Sequence, residues 1–156
     1  MGNSYIKSLY RDIYGEEFDY SDFGKRMKMQ KCIYLAEQFG INVGEYAFSW
    51  YKHGPYSQRL QDDMYEESGK ATSQLYYSEF AINVINRLKQ LVKKAKMESF
   101  GYTEEQWMEC LASIHYLNRI FNGNKQKALE TLVDRKAHLS NRALNEEAYK
   151  LVTSIA

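Results

Sequence analysis

FSWYKHGPYSQRLQDDM, residues 48–64, changes its structural period twice and decides how the chain is read. Tyr46, Phe48 and Trp50 alternate with Ala47, Ser49 and Tyr51, the period of a strand with a heavy aromatic face. Gly54-Pro55 then signals a turn, and Pro55 is the one proline in the sequence. Ser57 is placed to cap a helix in which Leu60 and Met64 repeat at i and i+4, with Gly69 closing its end. A second, weaker strand is expected at 72–77, pairing with the first across that helix. The reading is therefore a small β-hairpin around residues 46–77, with a winged-helix-like arrangement as one form it can take.

On both sides of this stretch the pattern is helical. Residues 4–14 carry Tyr5, Ile6, Leu9, Ile13 and Tyr14 at helical spacing before Gly15. Ser21 is placed to cap a second helix through Phe39, with Phe23, Met27, Ile33, Leu35, Ala36 and Phe39 as its apolar positions and Gly40 as its stop. After Ser78 a stripe of Phe80, Ile82, Val84, Ile85, Leu88, Leu91 and Val92 opposes lysines. Thr103 and Gln106 have capping-box spacing ahead of Trp107, Cys110, Leu111, Ile114, Leu117, Ile120 and Phe121, and Asn122-Gly123 ends that helix. A short helix is expected at 128–133. A last one is capped by Ser140, with Leu144, Ala148, Leu151, Val152 and Ile155 inward. No repeat or linker interrupts the chain, so the expected fold is mainly α: a compact bundle of six or seven helices with the hairpin, one domain over 1–156, and both Trp50 and Trp107 in its core.

Composition narrows the function classes. The 21 basic and 20 acidic residues nearly cancel, so any charged site must be local. Cys32 and Cys110 sit in apolar helical settings without a second cysteine at metal or redox spacing, as expected of reduced thiols in a cytoplasm. The opening MGNSYIKSLYRDIYGEEF is charged and amphipathic, and no apolar run approaches the roughly 20 residues of a membrane helix. Neither secretion nor membrane insertion is expected. Fourteen tyrosines are more than a core alone selects. They serve either as helix-boundary residues with the hydroxyl outward or as a contact surface.

No catalytic constellation emerges, and neither a metal nor a cofactor is expected. His53, His115 and His138 lack paired ligand spacing, and Cys110 and His115 point in different directions on one helix. Gly123-Asn124-Lys125 lacks the glycine spacing of a phosphate loop. Asp62, Asp63, Glu66 and Glu67 read first as a solvated acidic face. Lys25, Lys28 and Lys31, with Arg26 beside them, repeat at i, i+3, and Lys89, Lys93, Lys94 and Lys96 form a second basic segment. These are either solvated faces or a nucleic-acid-binding surface. At the turn, Trp50, Gly54, Pro55 and Ser57 have an architectural role. Lys52, His53, Tyr56 and Arg59 crowd it with donors suited to an acidic or phosphate-bearing partner.

Three stretches resemble the Panacea and SocA-like antitoxin group and its YwgA-like relatives: KMQKCIYLAEQFG at 28–40, FSWYKHGPYSQRL at 48–60 and LASIHYLNRIF at 111–121. The Tyr56-Ser57 pair after Gly-Pro is closer to the YwgA-like branch than to the small apolar residues of the Panacea branch. The resemblance implies a phage-associated, non-enzymatic, mainly helical module that binds a protein partner, a toxin or a phage or host protein, to neutralise it or act as an adaptor. The alternative is a transcriptional regulator holding nucleic acid on Lys25, Arg26, Lys28 and Lys31.

Overall fold

A computed structural model of the chain describes residues 2–154. Seven helices and one hairpin follow in order: α1 Ser4–Tyr14, α2 Phe23–Gln38, β1 Ser49–Tyr51, β2 Gly54–Tyr56, α3 Gln58–Glu67, α4 Glu79–Lys94, α5 Glu104–Ile120, α6 Lys125–Arg135 and α7 Arg142–Thr153. The fold is mainly α, as read from the sequence. Ile155 lies outside the described residues.

α5 is the organising element. It packs against α2, α4, α6, α7 and β2, while α1 packs against α2, α3 and α4. Its run from Trp107 to Ile114 is buried on every side, which is why the apolar stripe is so broad there. The core gathers Ile6, Leu9, Ile33, Leu35, Leu60, Leu88, Trp107 and Leu111 into one cluster. The Thr103–Gln106 capping box forms with both of its hydrogen bonds, and Ser57 Oγ accepts from the Leu60 amide at 3.2 Å. Two other starts fall one residue beyond the expected caps, because Asp22 and Asn141 supply the accepting oxygens rather than Ser21 and Ser140. The short helix expected at 128–133 runs instead over all of α6. Among the described residues no helix is long and apolar enough to cross a membrane.

The hairpin departs from expectation. β1 pairs antiparallel with β2, Trp50 opposite Pro55, leaving Lys52 and His53 as a two-residue loop. Residues 72–77 form no strand, so the hairpin does not enclose α3 and the winged-helix-like arrangement is not formed. A pairing closed by two residues avoids the loop-closure entropy of one spanning a helix. The 72–77 stretch is fastened by side chains instead: Tyr77 to Ser8 and Thr72 to Glu17. Trp107 is fully buried, but Trp50 is only partly so, stacked on Tyr116 at 5.7 Å and covered by the Lys136 ammonium at 5.1 Å. The acidic face of α3 is also not fully solvated. Asp63 is buried and accepts from Tyr46 Oη at 2.6 Å, and Glu67 is buried beside Lys70 at 3.1 Å.

Both cysteines are free and fully buried, and burial pushes the Cys32 thiol up to about 12 and the Cys110 thiol higher still. Both are therefore expected to react with a thiol reagent only at the rate of global opening, so labelling should speed up in denaturant. Fast native-state labelling would contradict this packing.

Candidate functional site

The three stretches carrying the resemblance meet in space. α2 presents Lys28, Gln30 and Lys31, and each is consumed by a specific contact. Lys28 Nζ lies 2.6 Å from Glu104 and 3.2 Å from Glu16. The Gln30 amide behaves like a strand backbone, donating to the Ser57 carbonyl and accepting from the Ser57 amide, both at 2.9 Å. Lys31 Nζ donates to the Pro55 carbonyl at 2.8 Å. From the third stretch, His115 Nδ1 meets Tyr34 Oη at 2.8 Å and Tyr116 stacks on Trp50.

Gly54 is required at this junction. Its φ of +90° lies in the left-handed region, and a Cβ there would strike Ser113 Oγ on α5. Gly54→Ala is expected to cost about 1–3 kcal/mol in a denaturation series, from backbone strain and the displaced serine. The loop beyond is held by Lys136, just past α6, whose Nζ donates to the carbonyls of Tyr51, at 3.0 Å, and Lys52.

Beneath the hairpin lies a buried charged cluster that sequence reading missed. Glu109, on the inner face of α5, has one oxygen 2.9 Å from His138 Nε2 and the other 3.9 Å from both Lys136 Nζ and His53 Nδ1. That second oxygen and the hydroxyl of Ser113, one turn along, have no hydrogen-bond partner among the described residues. Spacing held no signal for this cluster, because its members come from the hairpin loop, α5 and the α6–α7 connection. No group of three or more His, Cys, Asp or Glu among the described residues is arranged to hold a metal ion.

Burial lowers the Lys31 ammonium to about 7; nearby Glu109 opposes the shift and Lys136 adds to it. In an unfolded chain the same group keeps its proton to about pH 10. Below pH 7 both states are protonated and the cost of burying the charge is fully present. As pH rises above 7 the folded state sheds a proton that the unfolded state keeps, so stability increases. The window closes near pH 8.5, where the unfolded cysteines ionise and their raised folded counterparts do not, which destabilises. Stability measured between these limits is expected to rise by up to about 1 kcal/mol per pH unit, with most of that slope lost in Lys31→Met.

Over this floor opens a groove of about 400 Å³. Phe23, Arg26, Tyr51, Lys52, His53 and Tyr56 line it, with Lys31 at its base. Phe23 and Tyr51 are more than half exposed. His53 packs edge-on against Phe23 at 5.3 Å, Tyr51 lies 4.9 Å from Tyr56, and Arg26 sits over the Tyr20 and Phe23 rings. Of the turn residues expected to contact a partner, Lys52, His53 and Tyr56 converge here. Arg59 does not: it donates to the Gly44 carbonyl at 2.6 Å and lies over the Tyr46 ring. Phe23, read as a core position, stands at the rim. The basic stripe on α2 is likewise not a free surface, since Lys28 and Lys31 are buried and engaged and Lys25 Nζ donates to the Glu17 carbonyl at 2.9 Å. Comparison of the chain with protein-family models, curated proteins and solved structures finds no match.

Proposed function

We propose that the protein is a non-enzymatic interaction module of antitoxin or phage-defence type, working in the cytoplasm, that engages a protein partner at the groove over the hairpin. The observation that carries this reading is the exposure of Phe23 and Tyr51, with the half-buried Tyr56 beside them, around a recess whose walls are otherwise tied down by buried hydrogen bonds. Large amphipathic rings on a rigid base bury area at low entropic cost and are enriched at protein interfaces. The resemblance of the 28–40, 48–60 and 111–121 stretches to antitoxin-group proteins supplies the class. A nucleic-acid reading on Lys25, Arg26, Lys28 and Lys31 has less support, with two of its four cations buried.

Affinity capture from the native host with wild-type protein and with a Phe23→Ala/Tyr56→Ala variant tests this reading. A stoichiometric protein partner retained by the wild type and lost by the variant is the expected result. Equal capture by both would remove the groove from the interface, and no stoichiometric partner would overturn the interaction-module reading.

A further inference from the structure

The groove is unevenly charged in a protein that is otherwise balanced. Arg26 and Lys52 line it as cations, Lys31 and His53 line it with proton affinities lowered by burial, and no carboxylate does so among the described residues. Arg26 and Lys52 have no carboxylate within salt-bridge distance among the described residues; Arg26 donates instead to the Tyr20 carbonyl. The carboxylate nearest to His53, Glu109, sits beneath the loop and is shared with His138 and Lys136. Some lysines elsewhere are paired, Lys94 with Glu147, Lys125 with Glu146 and Lys28 with Glu104, whereas Lys89, Lys93, Lys96, Lys127 and Lys150 have no carboxylate within salt-bridge distance among the described residues; what sets Arg26 and Lys52 apart is that they stand in one recess with Phe23 and Tyr51. Cations left without counter-charge among exposed aromatic rings form a recess complementary to an acidic chain bearing apolar side chains.

We infer that the groove accepts an acidic segment of a partner protein, with Asp or Glu carboxylates against Arg26, Lys52 and His53 and a neighbouring apolar side chain against Phe23, Tyr51 and Tyr56. This rests on the interaction reading above and adds its chemistry. The guanidinium of Arg26 offers a planar pair of donors, and the rings behind it anchor its orientation. Lys52 extends from the loop into solvent, its carbonyl alone being used by the fold. It supplies charge without structural duty.

Fluorescence anisotropy with defined probes tests the inference: a labelled peptide alternating glutamate and phenylalanine, its lysine and glutamine counterparts, and a single-stranded oligodeoxynucleotide of equal charge. The acidic peptide should bind, weaken with rising salt, and lose about tenfold in affinity in Lys52→Glu, while the lysine and glutamine peptides bind at least about tenfold more weakly. Arg26→Gln should weaken it too, with melting curves confirming that both variants fold, and the distant Lys150→Glu should leave affinity unchanged. Equal binding of all peptides, no binding, insensitivity to Lys52→Glu, or binding of the oligonucleotide alone would overturn the acidic-segment assignment. The partner captured from the host separates this claim from the reading beneath it. If that partner is lost with Phe23→Ala/Tyr56→Ala but binds Lys52→Glu at full affinity, the acidic chemistry fails and the interaction reading stands. If the acidic peptide behaves as expected while the host yields no stoichiometric partner, the interaction reading fails and the groove chemistry stands.

Discussion

Trp107→Ala is expected to lower folding stability by about 3–5 kcal/mol, near the limit a domain of this size withstands. The indole is fully buried and meets Phe100 edge-on at 5.0 Å, so truncation leaves a cavity between α4 and α5. A second cost is polar. Trp107 Nε1 donates to the Leu91 carbonyl at 2.8 Å, and Leu91 lies in the last turn of α4, where carbonyls lack an onward helical amide. The ring therefore also acts as the cap of a neighbouring helix. Trp107→Phe should fall between wild type and alanine, keeping most of the volume but losing the donor. Denaturant titration of the three proteins measures the difference, and equal stability of the phenylalanine variant and wild type would show that the carbonyl needs no partner.

Glu109→Ala is the second large effect, again about 3–5 kcal/mol, because it removes the carboxylate facing two buried lysines. Lys31 and Lys136 are at most 5% exposed, and both ammonium groups are lowered by burial with Glu109 as the opposing influence. Without that carboxylate their mutual repulsion is uncompensated. Glu109→Ala combined with Lys31→Met should accordingly be more stable than Glu109→Ala alone, although each substitution removes a buried contact. Thermal melts of the single and double variants check this. If Lys31→Met destabilises the Glu109→Ala background further, the carboxylate is not the counter-charge of Lys31.

The helices were legible because their signals are local. The Thr103–Gln106 box, Ser57 ahead of Leu60 and the α4 stripe each depend on residues within a turn or two of one another. The strand expected at 72–77 is absent for the opposite reason. Strand pairing depends on which partner closes the smaller loop, and β2 is only three residues, containing a glycine and a proline that strand statistics disfavour. The lysines of α2 follow the same rule. Lys28 and Lys31 look like an exposed stripe until Glu16, Glu104 and the Pro55 carbonyl arrive from elsewhere in the chain. Phe23 carries apolar character without burial, so the groove rim was read as core. Lys52 and His53 meet because they are the two-residue turn itself, and Tyr56 joins them from β2. Arg59 was not part of that group, since one helical step turns it towards Gly44.

Lys136 is 85 residues from the tyrosine carbonyl it clamps. A ribosome finishes the hairpin and both of its flanking helices long before the clamp exists. Until α6 has emerged, the nascent hairpin has its α2 contacts through Gln30 and Lys31, but its loop carbonyls and the face of Trp50 are uncovered. The groove therefore matures late in translation, and an incomplete polypeptide ending before α6 would display the aromatic residues without the rigid loop that positions them. The rigid form of the hairpin loop is coupled in this way to synthesis of the chain through Lys136.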